Sequence, residues 1–129
     1  MTEKGTILVA DDEPDIVRGL ALRLGAAGYR VVTAVDGESA TRAAVEHLPD
    51  LILLDIGMPA GNGHVVVERL RGLSVTSAIP VIYLTARTDE DDYRRAHEGR
   101  VAKYITKPFE SAVLLAAVED QLERSRQFA

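Results

Sequence analysis

The chain has no cysteine. That removes disulfide bonds, thiolate zinc sites and cysteine nucleophiles together, and it fits a reducing compartment. A basic patch is also missing. The 15 Lys and Arg are scattered among 20 Asp and Glu, giving a formal net charge of −5 and a pI near 5.2. Nucleic-acid binding needs a clustered cationic face to neutralise phosphates, so no direct nucleic-acid contact is expected. Long hydrophobic runs are absent as well. The polar start Met1-Thr2-Glu3-Lys4-Gly5 leads into an apolar run of about five residues, too short for a signal-peptide core or a membrane span. No internal repeat, low-complexity tract or linker is visible. These absences predict a soluble, cytoplasmic protein with no membrane segment.

What is present suits one compact domain. With 129 residues, 47% hydrophobic and 27% charged, the chain is long enough to bury a single core. The apolar pattern switches period repeatedly. Short runs at Ile7 to Ala10, Arg30 to Ala34, Leu51 to Leu54, Ile79 to Leu84 and Ala102 to Ile105 read as strands. The first, third and fourth are nearly all apolar, as strands covered on both faces should be.

Between them lie helical spacings: Ile16, Leu20, Leu24; Ala40, Ala43, Ala44; Val66, Val67, Leu70, Leu73; and Leu114, Leu115, Val118, Leu122. Pro14 suits a first helical turn and Gly28 a helix stop. Strand and helix thus alternate as (βα)5, predicting an α/β fold with a mostly parallel sheet and helices on both faces. One segment differs. Asp89 to Glu98 offers only Tyr93 and Ala96 to a core, so packing should hold it less firmly than its neighbours and leave it available to move or meet a partner. The alternative is a solvated helix with acids at its N-terminal end and bases later.

Chemistry concentrates where strands end. Asp55 closes the run Leu51-Ile52-Leu53-Leu54 and is followed by Gly57, Met58, Pro59, Gly61 and Gly63. Ile7 to Ala10 runs into Asp11-Asp12, and Val81 to Leu84 into Thr85-Ala86. In open parallel sheets, ligands collect outside the carboxyl ends of the strands. If the first and third strands are neighbours, Asp11, Asp12 and Asp55 converge. At about 4 Å and an effective dielectric of 20, each like-charge pair costs roughly 4 kcal/mol, so the cluster needs a cation or takes up protons.

Hard oxygen donors in a crevice favour Mg2+ or a similar divalent ion such as Mn2+. N-capping of the first helix is the alternative for Asp11 and Asp12 taken alone. Lys107, before Pro108 and Phe109, and Thr85 add an ammonium and a hydroxyl suited to a phosphoryl group on the carboxylate. Singly, each could be an ordinary surface lysine or strand-end hydroxyl. The three histidines, His47, His64 and His97, lack metal-ligand spacing and are expected to face solvent.

Four fragments in order carry a resemblance: Ile7-Leu-Val-Ala-Asp-Asp-Glu13, Asp50-Leu-Ile-Leu-Leu-Asp-Ile-Gly-Met-Pro59, Pro80-Val-Ile-Tyr-Leu-Thr-Ala86 and Tyr104-Ile-Thr-Lys-Pro-Phe109. Across residues 5 to 123 the chain resembles the receiver domains of two-component response regulators. The resemblance implies a flavodoxin-like, doubly wound fold with strand order 2-1-3-4-5. It implies Asp55 as phosphoacceptor, attacking a phosphohistidine. Asp12, Asp55 and the Gly57 carbonyl would bind Mg2+, with Asp11 helping through water. Thr85 and Lys107 would hold phosphoryl oxygens, Tyr104 would be the switch aromatic that follows Thr85, and the small Ala86 would leave access.

Such a domain catalyses only its own phosphorylation and dephosphorylation. Its implied partners are a sensor histidine kinase or histidine phosphotransfer protein, and a downstream protein or output domain. Phosphorylation would remodel the face of the fourth helix, fifth strand and fifth helix, through which a homodimer is a further expectation.

The match departs from the family in places. Receivers usually place Gly-Ala a few residues before the aromatic, whereas Arg100 and Val101 stand there and Gly99 precedes them. The turn into the fifth strand should therefore be altered, which puts the switch coupling in question. Asn62-Gly63 replaces Asp-Gly and keeps an N-cap-capable residue. Gly57 and Arg87 lie near the mouth of the site, at positions where receivers vary.

Rival readings fare worse. A haloacid-dehalogenase-type phosphatase needs Asp-x-Asp after its first strand, where this chain has Asp11-Asp12. A flavodoxin-like cofactor binder needs a phosphate loop that Asp11-Asp12-Glu13-Pro14-Asp15 would repel. A receiver-fold module that no longer takes phosphate would not need Asp11, Asp12, Asp55, Thr85 and Lys107 together. The expected organisation is one receiver domain over 1–129 with a short tail, 124–129. That tail is too small for an output domain, so the chain is a single-domain receiver or a piece of something longer.

Overall fold

The computed structural model describes residues 4–59, 62–86 and 90–127. Gly61, Arg87, the expected helix start at Asp89 and the final Phe128-Ala129 lie outside the described residues. Five strands form one parallel sheet in the order β2-β1-β3-β4-β5. They are β1 (Thr6–Ala10), β2 (Arg30–Ala34), β3 (Leu51–Asp55), β4 (Val81–Thr85) and β5 (Lys103–Thr106). The helices are α1 (Pro14–Ala26), α2 (Gly37–His47), α3 (Gly63–Arg71), α4 (Glu90–Glu98) and α5 (Ser111–Gln127). The α/β doubly wound expectation and its 2-1-3-4-5 order are met.

Burial explains the pattern read from the sequence. β3 and β4 are buried at every position, as central strands with helices on both faces must be. The edge strand β2 exposes Arg30 and Thr33. One core layer joins Leu8, Ile52, Leu54 and Tyr83 to Ala40, Ala44, Val66, Val67 and Leu70. The other joins Ile7, Val9, Leu53 and Ile82 to Leu20, Leu24, Leu114, Val118 and Leu122. No helix among the described residues is long and apolar enough to cross a membrane.

Several local expectations change. β4 starts at Val81 because Pro80 has no N–H to give the ladder; its carbonyl instead accepts from the Ile52 N–H at 3.0 Å. Leu73 falls after the end of α3 and is 42% exposed. Tyr93 is not a core residue: it is half-exposed, and its ring stacks on Tyr104. α5 continues through Arg124 to Gln127, where a tail was expected. Arg124 bonds Asp120 one turn back at 3.0 Å, and the Arg126 guanidinium donates to the Lys4 carbonyl.

The turn between α4 and β5 has a demanding backbone. Arg100 adopts a left-handed φ of 56°, a conformation that favours glycine. Gly99 is held there by space, since a Cβ on it would lie 2.7 Å from Val67 Cγ1.

Candidate functional site

Register assembles the acidic cluster. Ala10 on β1 is paired with Leu54 on β3, so the next residues, Asp11 and Asp55, emerge side by side at the carboxyl edge of the sheet. One carboxylate oxygen from each of Asp11, Asp12 and Asp55 lies within 4.8 Å of the others. Asp11 is fully buried, Asp55 is 7% exposed, and Asp12 reaches solvent.

Helix capping does not explain the pair. The residue before α1 is Glu13, and its side chain makes no capping bond. Asp11 Oδ1 accepts the Glu13 N–H at 3.0 Å. Asn62 does cap α3, its Oδ1 accepting from the Val65 N–H at 3.1 Å.

Asp55 is electrostatically loaded. Burial first, then the charge of Asp11 and a hydrogen bond with Asp12, push its carboxyl up to about 6, against the opposing Gly57 N–H and Lys107. The Gly57 N–H donates to Asp55 Oδ1 at 3.2 Å. A short bend holds this loop in place. The Gly63 N–H donates to the Ile56 carbonyl at 2.8 Å, and a Cβ on Gly63 would sit 2.8 Å from Ile56 Cα. Only glycine allows α3 to start so close to the acid.

Lys107 enters from the loop after β5. Its Nζ lies 2.7 Å from Asp11 Oδ2, 3.2 Å from Glu13 Oε1 and 3.8 Å from Asp55 Oδ2. Burial pulls the ammonium pKa down, but the bond and charge of Asp11, the charge of Asp55 and the bond to Glu13 outweigh it, and the net shift is upward. Pro108 follows through a cis peptide and does not open a helix, since α5 begins at Ser111.

Thr85, 1% exposed at the end of β4, accepts the Lys107 backbone N–H on its carbonyl at 2.7 Å. Tyr104 is Tyr83's partner across the β4–β5 ladder. Its ring meets Tyr83 edge-on at 6.2 Å and stacks on Tyr93 at 4.3 Å.

The carboxylates, Lys107 and Thr85 gather at one edge of the sheet, whereas Tyr104, level with Tyr83, lies two ladder positions back from Thr85. Sequence reasoning missed two residues. Glu13 shares Lys107, and the signal was its place directly after Asp11-Asp12. His64 is not solvent-facing: it is 5% exposed and shares a 3.0 Å hydrogen bond with the Tyr83 hydroxyl. It occupies the face of α3 that also presents the buried Val67 one turn on, a placement decided by packing on β4. His47 and His97 are exposed as expected.

A hard-oxygen cluster at the switch point of a parallel 2-1-3-4-5 sheet, with a lysine reaching in, defines a CheY-like receiver. The chain matches the response regulator receiver domain over residues 7–119 and belongs to that family of two-component signalling proteins. It is 43% identical over 119 residues to the transcriptional regulatory protein KdpE of Mycobacterium tuberculosis, covering 92% of this chain and 51% of that protein. It therefore spans about half the length of the curated relatives it matches.

The BeF3-activated N-terminal receiver domain of RstA from Klebsiella pneumoniae superposes with a TM-score of 0.82 at 30% identity, over 91% of this chain and 97% of that one. A CheY-like receiver domain protein from Methanospirillum hungatei JF-1 reaches a TM-score of 0.93 at 22% identity, over 99% and 100% of the two chains. That last likeness is one of fold alone.

Proposed function

We propose that Asp55 is the phosphoacceptor of a phosphorelay. The observation that carries the reading is the Asp11, Asp12 and Asp55 cluster, whose oxygens lie within 4.8 Å, with the Lys107 ammonium at its edge. A buried carboxylate pushed up to about 6 beside two more acids is short of positive charge. One lysine shared with Glu13 does not balance it, so the donor set fits a hard divalent cation, Mg2+ or Mn2+. Asp12, Asp55 and the Gly57 carbonyl would hold the ion, with Asp11 assisting through water. When bound, it supplies charge neutralisation for an in-line phosphoryl transfer.

The residues of the chain then have defined tasks. An Asp55 oxygen attacks the phosphorus of a phosphohistidine; the new O–P bond forms as the N–P bond breaks, and the imidazole leaves. Lys107 moves its point charge onto one phosphoryl oxygen, and the Thr85 hydroxyl donates to another. The domain is thus a signalling switch that catalyses only its own phosphorylation and hydrolysis. Beside the site, a groove of about 400 Å³ lined by Ile16, Ala86, Pro108 and Phe109 suits contact with the donor, a sensor histidine kinase or histidine phosphotransfer protein.

Drawing Thr85 inward would free space for Tyr104 to turn toward the core and remodel the α4-β5-α5 face. That face would engage a downstream protein or output domain, or a second copy of the chain. Near-complete switching needs roughly 5.5 kcal/mol of differential stabilisation, within reach of a charged group in such a site. We assign residues 1–129 to one receiver domain acting in the cytoplasm.

Intact-mass spectrometry after incubation with Mg2+ and acetyl phosphate tests the reading. A phosphate adduct is expected on the wild type, absent with chelator and absent in Asp55→Asn. No adduct together with no beryllofluoride binding would demote the domain to a phosphate-independent binding module.

A further inference from the structure

His64 and Tyr83 are a buried polar pair that the phosphoacceptor chemistry does not use. Tyr83 is fully buried at the middle of β4, and a buried tyrosine hydroxyl needs a partner. His64 Nδ1 is such a partner, sharing a hydrogen bond of 3.0 Å, and the rings meet edge to face at 5.2 Å. The contacts continue outward. Tyr83 packs edge-on against Tyr104 at 6.2 Å, and Tyr104 stacks on the half-exposed Tyr93 of α4 at 4.3 Å.

At its inner end the chain of rings touches the acceptor loop through the backbone. Gly63, the neighbour of His64, donates to the Ile56 carbonyl, and a Cβ there would lie 3.0 Å from the Asp55 carbonyl oxygen. Any shift of the Asp55–Ile56 backbone must therefore move the start of α3 and with it His64.

We propose that His64 is a positioning residue for the switch: through its hydrogen bond it fixes the Tyr83 ring, and that ring fixes the Tyr93-stacked position of Tyr104. The inference rests on the switch reading above and adds to it a second connection from Asp55 to Tyr104, independent of Thr85. The physical reason is that Tyr83 is the wall against which Tyr104 packs. A ring held at its hydroxyl by α3 presents one fixed edge, whereas an unheld ring can tilt and admit other positions of Tyr104. The bond thus weights the unphosphorylated arrangement, and losing it should enlarge the fraction of molecules ready to accept a phosphoryl group.

The test uses the full chain labelled with 3-fluorotyrosine, whose four tyrosines give separable fluorine signals, with Tyr104 assigned through Tyr104→Phe. In wild type, beryllofluoride with Mg2+ should shift the Tyr104 signal. In His64→Leu without beryllofluoride, that signal should already have moved toward the saturated position. Beryllofluoride should then bind roughly three- to ten-fold more tightly, the range expected from one net hydrogen bond. Tyr83→Phe should do the same, and the double variant no more than either single one, because both remove one interaction. His64→Asn, which keeps a polar nitrogen or oxygen near the Nδ1 position, should restore the wild-type signal.

An unmoved Tyr104 signal in folded His64→Leu and Tyr83→Phe overturns the proposal, as do effects of the two that simply add. Failure of beryllofluoride to bind wild type would instead sink the phosphoacceptor reading. The ligand-free Tyr104 signal would still decide whether His64 positions that ring.

Discussion

Lys107 Nζ sits 2.7 Å from Asp11 Oδ2 but 3.8 Å from Asp55 Oδ2. The lysine proposed above to hold a phosphoryl oxygen is thus paired with the neighbouring acid, and we propose that a cation among the carboxylates would release it toward Asp55. Asp11 is fully buried and Lys107 partly so, so removing the lysine strands the acid. Lys107→Ala should lower stability in chelator by about 3 kcal/mol, read by urea unfolding, and Mg2+ should recover part of the loss. The raised lysine pKa means this stabilisation is complete at neutral pH and is lost only as pH climbs through the folded value, above the ordinary lysine range. An unchanged unfolding midpoint in chelator would show the pair to be idle.

Asp55 costs the metal-free fold stability. Its folded pKa is raised to about 6 from 3.8, so the native state holds its proton more tightly than the unfolded chain. Stability therefore falls as pH rises between those two values and stays reduced above them. Asp55→Asn should raise neutral-pH stability in chelator by up to about 3 kcal/mol, and the gain should vanish below about pH 4. Thermal melts across that range decide it, and a variant less stable than wild type at neutral pH contradicts the sign.

Mg2+ should stabilise the wild type by mass action, about 2.7 kcal/mol at a hundredfold excess over Kd. Asp12→Ala should abolish that gain with little effect in chelator, because Asp12 is the solvent-exposed member of the cluster. Melting temperatures against Mg2+ concentration provide the check; an unaltered metal response would remove Asp12 from the site.

Two glycines should answer alanine in opposite ways. Gly19 lies inside α1, where an added Cβ meets nothing within 4 Å, and Gly19→Ala should stabilise by about 1 kcal/mol. Gly63→Ala drives a Cβ to 2.8 Å from Ile56 Cα and should destabilise by about 1–3 kcal/mol. Gly63→Ala should also slow phosphoryl uptake, because the backbone it displaces carries Asp55. Chemical denaturation and the mass-spectrometric time course read the two effects.

Arg100 bears a left-handed φ of 56° and adds like charge to the half-buried Arg71, whose pKa falls through burial first and Arg100 second. Arg100→Gly relieves both and should stabilise by about 1 kcal/mol. A loss of stability would show that its side chain makes up for the strain.

Much of this architecture is legible in the residues. Strands such as Leu51–Asp55 are announced by apolar runs that end at Gly and Pro, and Leu20, Leu24, Leu114, Val118 and Leu122 keep helical spacing and enter one core layer. The acids of the site are legible too, since each follows a strand that can only end at the same edge of a parallel sheet. His64 was not, because nothing in Gly63-His64-Val65 tells which side of α3 will meet Tyr83, nineteen residues on. Arg100 was visible only as a missing glycine, and its positive φ came from the demand of the turn between α4 and β5.

Periodicity, charge and the residues at strand ends are local properties, and they decided the alternation of elements, their buried faces and the carboxylates available for chemistry. Which groups pair is a matter of distance across the sheet. Lys107 reaching back 96 positions to Asp11, Glu13 sharing that ammonium, and Tyr83 lying between His64 and Tyr104 are set by register and by the packing of helices on strands. Those contacts exist only once the sheet has closed, because sequence neighbours do not supply them.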